Sequence, residues 1–176
     1  GLSVYIDGEK LDFDVPPAII NDRTLVPMRA VFEALDADVE WNDETKTVEG
    51  KKDGTAISLQ VGSDEMRVGG KTVLLDSPAV IRDGRTLVPI RAIAESLGVD
   101  VEWYDDIKTV AVITDGEIKY TELYNLNHEK KQIDSDFKDK YISLGWLESI
   151  EGLYTKMYSS TVEADIPIAT LEENIA

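Results

Sequence analysis

Residues 23–30 read RTLVPMRA and residues 85–92 read RTLVPIRA, so one phrase occurs twice, 62 positions apart. An internal period constrains a fold more than any other sequence feature, because each period is one supersecondary unit copied. The offset extends well beyond the phrase. Asp7-Gly8 matches Gly69-Gly70, Pro16 matches Pro78, and Ile19 matches Ile81. Val39-Glu40-Trp41 matches Val101-Glu102-Trp103, Lys46-Thr47-Val48 matches Lys108-Thr109-Val110, and Asp53-Gly54 matches Asp115-Gly116. No gap is needed, which predicts two tandem copies at 1–62 and 63–124, followed by a non-repeating segment at 125–176.

Each landmark has a local physical meaning. Asp-Gly and Gly-Gly links between apolar runs favour the type I′ turn, so each copy opens with a β-hairpin. Asn21-Asp22 and Asp83-Gly84 read as turns between short extended pieces. Pro27 and Pro89 each follow Leu-Val and suit the first turn of a helix, where a missing N–H leaves nothing unpaired. After them, Met28, Val31, Phe32 and Leu35 recur as Ile90, Ile93, Ala94 and Leu97, one apolar stripe per helix. Gly98 ends the second helix, and Asp36 stands at the same place in the first, where it tolerates positive φ. DVEW and KTV then form a second hairpin in each copy. The copies diverge in the last strand: Ile57, Leu59 and Val61 alternate, whereas Ile118 and Tyr120 fall one step out of phase, so face or register differs there.

The expected class is therefore α+β: two tandem units, each a twisted, mostly antiparallel sheet packed around one short helix. In the C-terminal segment Phe137, Tyr141, Leu144, Leu147, Ile150, Tyr154 and Met157 keep helical spacing, interrupted by Gly145 and Gly152, which predicts a helical segment.

A net charge of −17 argues against nucleic acid and against docking on anionic lipid. No apolar run is long enough to cross a bilayer, and no basic-then-apolar leader opens the chain. The chain has no cysteine and a single histidine, His128, in the polar stretch NLNHEKKQ. Thiolate and multi-histidine metal chemistry is thereby excluded, and no glycine-rich phosphate loop or serine elbow is present. Asp36, Asp38 and Glu40 alternate like calcium ligands but lack the glycine and distal acid of a calcium loop.

The strongest candidate interaction residues are those the repeat doubles. Arg29 and Arg91 sit at the helix start, where a cation opposes the helix dipole. Either they bind an anion or they pair with Glu33 and Glu95 four residues on, and the structural reading is favoured. Trp41 and Trp103 occupy one equivalent strand position. They could stack on sugar rings, but core packing is the expectation for tryptophan. Pro27, Pro89, Glu33 and Glu95 are read as structural. Catalytic, metal and cofactor positions are assigned to no residue.

PPAIINDRTLVPMRAVFEALDADVEW and SPAVIRDGRTLVPIRAIAESLGVDVEW resemble the copper amine oxidase N-terminal-like domain, also called a stalk domain, over about residues 4–122. The resemblance implies an antiparallel sheet twisted around a helix, and a module common in exported proteins of Gram-positive bacteria. It also implies a domain that carries neither the copper nor the quinone of those oxidases. The three histidine ligands and the Asn-Tyr-Asp/Glu cofactor motif have no match in this chain. The expected function is a non-catalytic, secreted or cell-surface spacer and protein-interaction module, with homodimerisation as one form of interaction. The alternative is a module that binds cell-wall polysaccharide or peptidoglycan. The expected partners are protein or cell-wall glycan.

Overall fold

The computed structural model describes residues 1–114, 116, 118–149 and 151. These residues belong to two compact units, Gly1–Gly116 and Glu117–Ala176.

In the first unit, the first copy supplies β1 (Ser3–Ile6), β2 (Glu9–Lys10), β3 (Ala18–Ile20), β4 (Arg23–Pro27), α1 (Met28–Ala34), β5 (Asp38–Asn42), β6 (Thr47–Lys52) and β7 (Thr55–Gln60). The second copy repeats the order as β8 (Glu65–Val68), β9 (Lys71–Leu74), β10 (Val80–Arg82), β11 (Arg85–Pro89), α2 (Ile90–Ser96), β12 (Asp100–Tyr104), a 3-10 turn at Asp105–Ile107 and β13 (Thr109–Ile113).

The repeated phrase pairs with itself. In the sheet ordered β10-β11-β4-β3, Val26 lies opposite Val88, flanked by Leu25 opposite Pro89 and Pro27 opposite Leu87. Val26 and Val88 are 62 positions apart, so a local two-fold axis runs through this pair. Alternate residues of a strand face opposite sides. Val26 and Val88 accordingly enter the main core, while Leu25 and Leu87 join a smaller cluster with Val15 and Ala18. Both faces of Leu-Val are covered, which is why the phrase is apolar at two consecutive positions.

The same axis distributes the hairpins. One flanking sheet runs β5-β6-β7-β8-β9 and the other β12-β13-β1-β2, so each combines hairpins of both copies. The α+β class, the antiparallel character and one helix per copy stand as expected. The expectation of a separate sheet for each copy gives way to sheets shared between copies. Size favours this: a piece of about 60 residues buries only about 60% of the surface its unfolded chain exposes and is marginal alone, so sharing sheets adds burial that one copy lacks. The hairpin of β1 and the two-residue β2 finds its long neighbour only in β13.

The stripes of the helices sit as their spacing requires. Val31, Phe32 and Ile93 are fully buried, Leu35 and Ile90 are nearly so, and all meet one core cluster with Val48, Ile57, Leu59 and Met66. Fully burying such a side chain contributes about 1.5–3 kcal/mol. Both helices stop at a left-handed residue, Asp36 (φ 55°) and Gly98 (φ 77°). Pro27 and Pro89 close their strands and occupy the position before the helix rather than its first turn. Turn chemistry departs from expectation once. Asp7 and Gly8 both take positive φ, as a type I′ turn requires, whereas of Gly69 and Gly70 only the first does, as in type II′.

In the second unit β14 (Tyr120–Tyr124) pairs with β15 (Lys130–Asp134), followed by a 3-10 turn at Ser135–Phe137 and α3 (Lys138–Ser143). The expected helical segment is thus observed only in part. Phe137 and Tyr141 are buried, Leu144 is exposed, and residues 130–134 form a strand. A polar sequence such as KKQID carries one buried apolar residue, Ile133, too few for periodicity to reveal a strand. The repeat phase assigns 120–124 to the second copy, yet this strand hydrogen-bonds within the C-terminal unit. Asp115, Ile150, Gly152, Tyr154, Met157 and the end VEADIPIATLEENIA lie outside the described residues. No helix among the described residues is long and apolar enough to cross a membrane.

Candidate functional site

Two surface recesses, related by the same 62-residue offset, gather the doubled polar residues. The first encloses about 840 Å³ between the start of α2, β12, the β4 edge and the loop after β9. The second encloses about 470 Å³ between the start of α1, β5 and the β11 edge. Arg91, Glu95 and Trp103 line the first; Arg29, Glu33 and Trp41 line the second. Each recess is completed by the other copy, which lends Arg23 to the first and Arg85 to the second.

These lent arginines stitch the copies together. Arg23 pairs with Asp76, and Arg85 pairs with Asp14 at 2.7 Å. Asp14 and Asp76 are again 62 apart, as are Arg23 and Arg85. The hydrogen bond from Arg85, with its charge, holds the Asp14 carboxyl below the ordinary carboxylate range. Next to Trp41, Asp43 is held low in the same way, chiefly by a hydrogen bond from Lys46 at 2.7 Å. Lys108 and Asp105 form the counterpart at 2.8 Å, on the rim of the first recess.

Arg29 and Arg91 each face the glutamate four residues on, unequally. Arg91 lies 3.3 Å from Glu95 and donates to the Val101 carbonyl at 3.2 Å, tying the helix start to β12. Arg29 reaches Glu33 only at 3.9 Å. All four side chains remain about half exposed or more, so these pairs contribute little to stability. Pro27 and Pro89 are buried at the base of their recesses, where they set the direction of each helix.

The tryptophans differ in how far they pack on the core. Trp41 is half-buried against the main core, and Trp103 is 36% exposed. Their strand position lines a recess in each copy. None of Asp14, Asp76, Arg23 and Arg85 was singled out from the sequence as a candidate interaction residue. The signal was present: all four residues obey the 62-residue offset.

The recesses differ in lining. Ile19, Leu74 and Ser77 belong to the larger one. The counterparts of Leu74 and Ser77 are Asp12 and Val15. Leu74 is 76% exposed. Ser77 is buried, and its hydroxyl has no protein hydrogen-bond partner.

Comparison with known proteins agrees with this architecture. A protein described as "Protease inhibitor" from Brevibacillus choshinensis is 33% identical over 113 residues. That match takes in 62% of this chain and 33% of the relative, so the chain spans about a third of that protein's length. The family of the copper amine oxidase N-terminal domain matches residues 5–112, a range that contains both doubled phrases and both recesses. The chain belongs to the copper amine oxidase N-terminal domain family.

Proposed function

We propose that the chain serves as a non-catalytic spacer and interaction module of an exported bacterial protein, and that the two recesses are its contact surfaces. One observation carries this reading: the copies share exposed polar side chains as well as buried apolar ones. Exposed ion pairs add about 0–1 kcal/mol each. Contributions of that size are too small to account by themselves for both copies keeping an Arg–Asp, an Arg–Glu and a Lys–Asp pair around one tryptophan. Membership in a family of non-catalytic N-terminal domains supports the same reading. The test is co-sedimentation of the purified chain with Gram-positive cell envelopes, alongside light scattering for self-association. Arg29→Glu and Arg91→Glu together are expected to reduce association without unfolding the chain. Association unchanged by both substitutions, or turnover of a substrate by the chain, sinks the reading.

A second reading has one specific support, the relative described as a protease inhibitor. An inhibitor works by holding a protein surface, which a module of this kind offers. Residual activity of a subtilisin-type protease, titrated with the chain, decides it: undiminished activity at large molar excess discards protease binding.

A further inference from the structure

We propose that the larger recess binds an uncharged, hydroxyl-rich chain, a segment of neutral polysaccharide, with Trp103 as its stacking wall; this rests on the interaction-module reading above. Three observations converge. The first is charge. The whole chain carries −17, yet the recess is lined by three cations and four carboxylates, and three of the carboxylates are each closed on a cation: Asp76 on Arg23, Glu95 on Arg91, Asp105 on Lys108. A charged ligand would have to break one of these pairs. A neutral polyol need not, because guanidinium and carboxylate edges retain spare donors and acceptors for hydroxyl groups. The second is the apolar wall. Trp103, Leu74 and Ile19 are 36%, 76% and 54% exposed in turn. An aromatic ring flanked by aliphatic groups suits the C–H face of a pyranose, and tryptophan supplies such contact area with little entropy to lose. The third is Ser77, a buried hydroxyl of the recess lining without a protein partner, at a position where the other copy has Val15, buried in the small apolar cluster.

The two recesses thus differ in the features that matter for such a ligand. The counterparts of Leu74 and Ser77, Asp12 and Val15, do not line the smaller one, and the half-buried Trp41 stands there where the larger has Trp103. Binding is assigned to the larger recess.

The experiment is titration of the full chain with chitohexaose and cellohexaose, both neutral, and with hexagalacturonate, an anionic control, followed by tryptophan fluorescence and calorimetry. Saturable binding of a neutral hexamer, one per chain, is expected, with hexagalacturonate binding at least about tenfold more weakly, as when a buried contact is lost. Trp103→Ala is expected to lower affinity about tenfold or more, Trp103→Phe to restore part of it, and Trp41→Ala to leave it within about threefold. A second variant transplants the other copy's residues, Leu74→Asp with Ser77→Val, and is expected to abolish binding while circular dichroism stays unchanged. Absence of binding by either neutral hexamer, equal binding of hexagalacturonate, or indifference to both the Trp103 and the transplant variants overturns the assignment. If the hexamers fail while envelope association persists and is lost after protease treatment of the envelopes, the ligand is protein and only the glycan assignment falls. Loss of hexamer binding and envelope association alike removes the interaction reading itself.

Discussion

The two sheets that flank the central one differ by a single strand. In the five-stranded sheet, Val48 lies opposite Leu59 and Leu59 opposite Met66; in the four-stranded sheet, Val110 lies opposite Val4 directly. Gly50, Ile57 and Val68 make one row, and Val112 and Ile6 make its counterpart. The second sheet is the first with β7 taken out and the register kept. Two strands that are each antiparallel to a third run parallel to each other. This accounts for the parallel pairing of β1 with β13. The cause lies in two residues. Ile57 and Leu59 point β7 into the core, whereas the positions 62 further on are Lys119 and Thr121. Burying those polar side chains without partners would be costly, so the strand leaves and pairs with β15 instead. A duplicated sequence can drop a strand and still keep the register of what remains.

A second difference is compensated within the core. Phe32 of α1 faces Gly50 of β6, where an added Cβ would stand 2.1 Å from the ring. In the other copy the pair is Ala94 and Val112, both buried. Volume has moved from the sheet to the helix, with total filling preserved.

Three experiments break or sharpen the comparison, beginning with the largest effect. Residues 1–62 expressed alone lack the strands that complete both flanking sheets. They are expected to show no cooperative unfolding until residues 63–116 are added. Circular dichroism checks this, and a melting transition of 1–62 alone, independent of its concentration, would contradict the shared-sheet account. Next, Phe32→Ala is expected to lose about 3–5 kcal/mol in urea unfolding. Gly50→Val alone is expected to lose about 1–3 kcal/mol or more by overpacking. The double variant, which copies the Ala94–Val112 solution, is expected to lose clearly less than the sum, and strict additivity would deny the compensation. The smallest effect is pH dependence. Because Asp14 is held below its ordinary pKa, its pairing with Arg85 stabilises the fold fully above the normal carboxylate pKa, about 3.9. That contribution fades as pH falls through the lowered folded value. Asp14→Asn is expected to remove this part of the acid limb of the stability curve, and an unchanged limb argues that the pair does not hold the copies together.

The elements of the first unit were legible because their signals are local. Asp7-Gly8 and the stripe from Met28 to Leu35 landed in the expected elements, and the prolines fell one residue short of theirs, closing the strand before each helix. The exchange of hairpins was not legible, because a 62-residue offset is the same whether a strand meets its own copy or the other. Only packing in three dimensions separates the two. At the recesses the arginines, glutamates and tryptophans were legible as doubled residues. Their assembly was not, since Arg23 meets Asp76 only after the central strands have paired. The strand at 130–134 stayed hidden because one buried isoleucine among lysines and glutamine gives no period.

The parallel pairing of β1 with β13 also sets a timetable. Ser3 meets Thr109, a partner more than 100 residues downstream. At synthesis rates of about 5–20 residues per second, the hairpin of β1 and β2 waits roughly 5–20 seconds for the strand that completes it. Contacts so distant in sequence slow folding, because loop closure precedes any gain from pairing. β1 is thus made before the strands of its own core yet is among the last of them to find its place, and pulse-labelling hydrogen exchange should record β1 and β13 gaining protection together, after the ladder between β5 and β6.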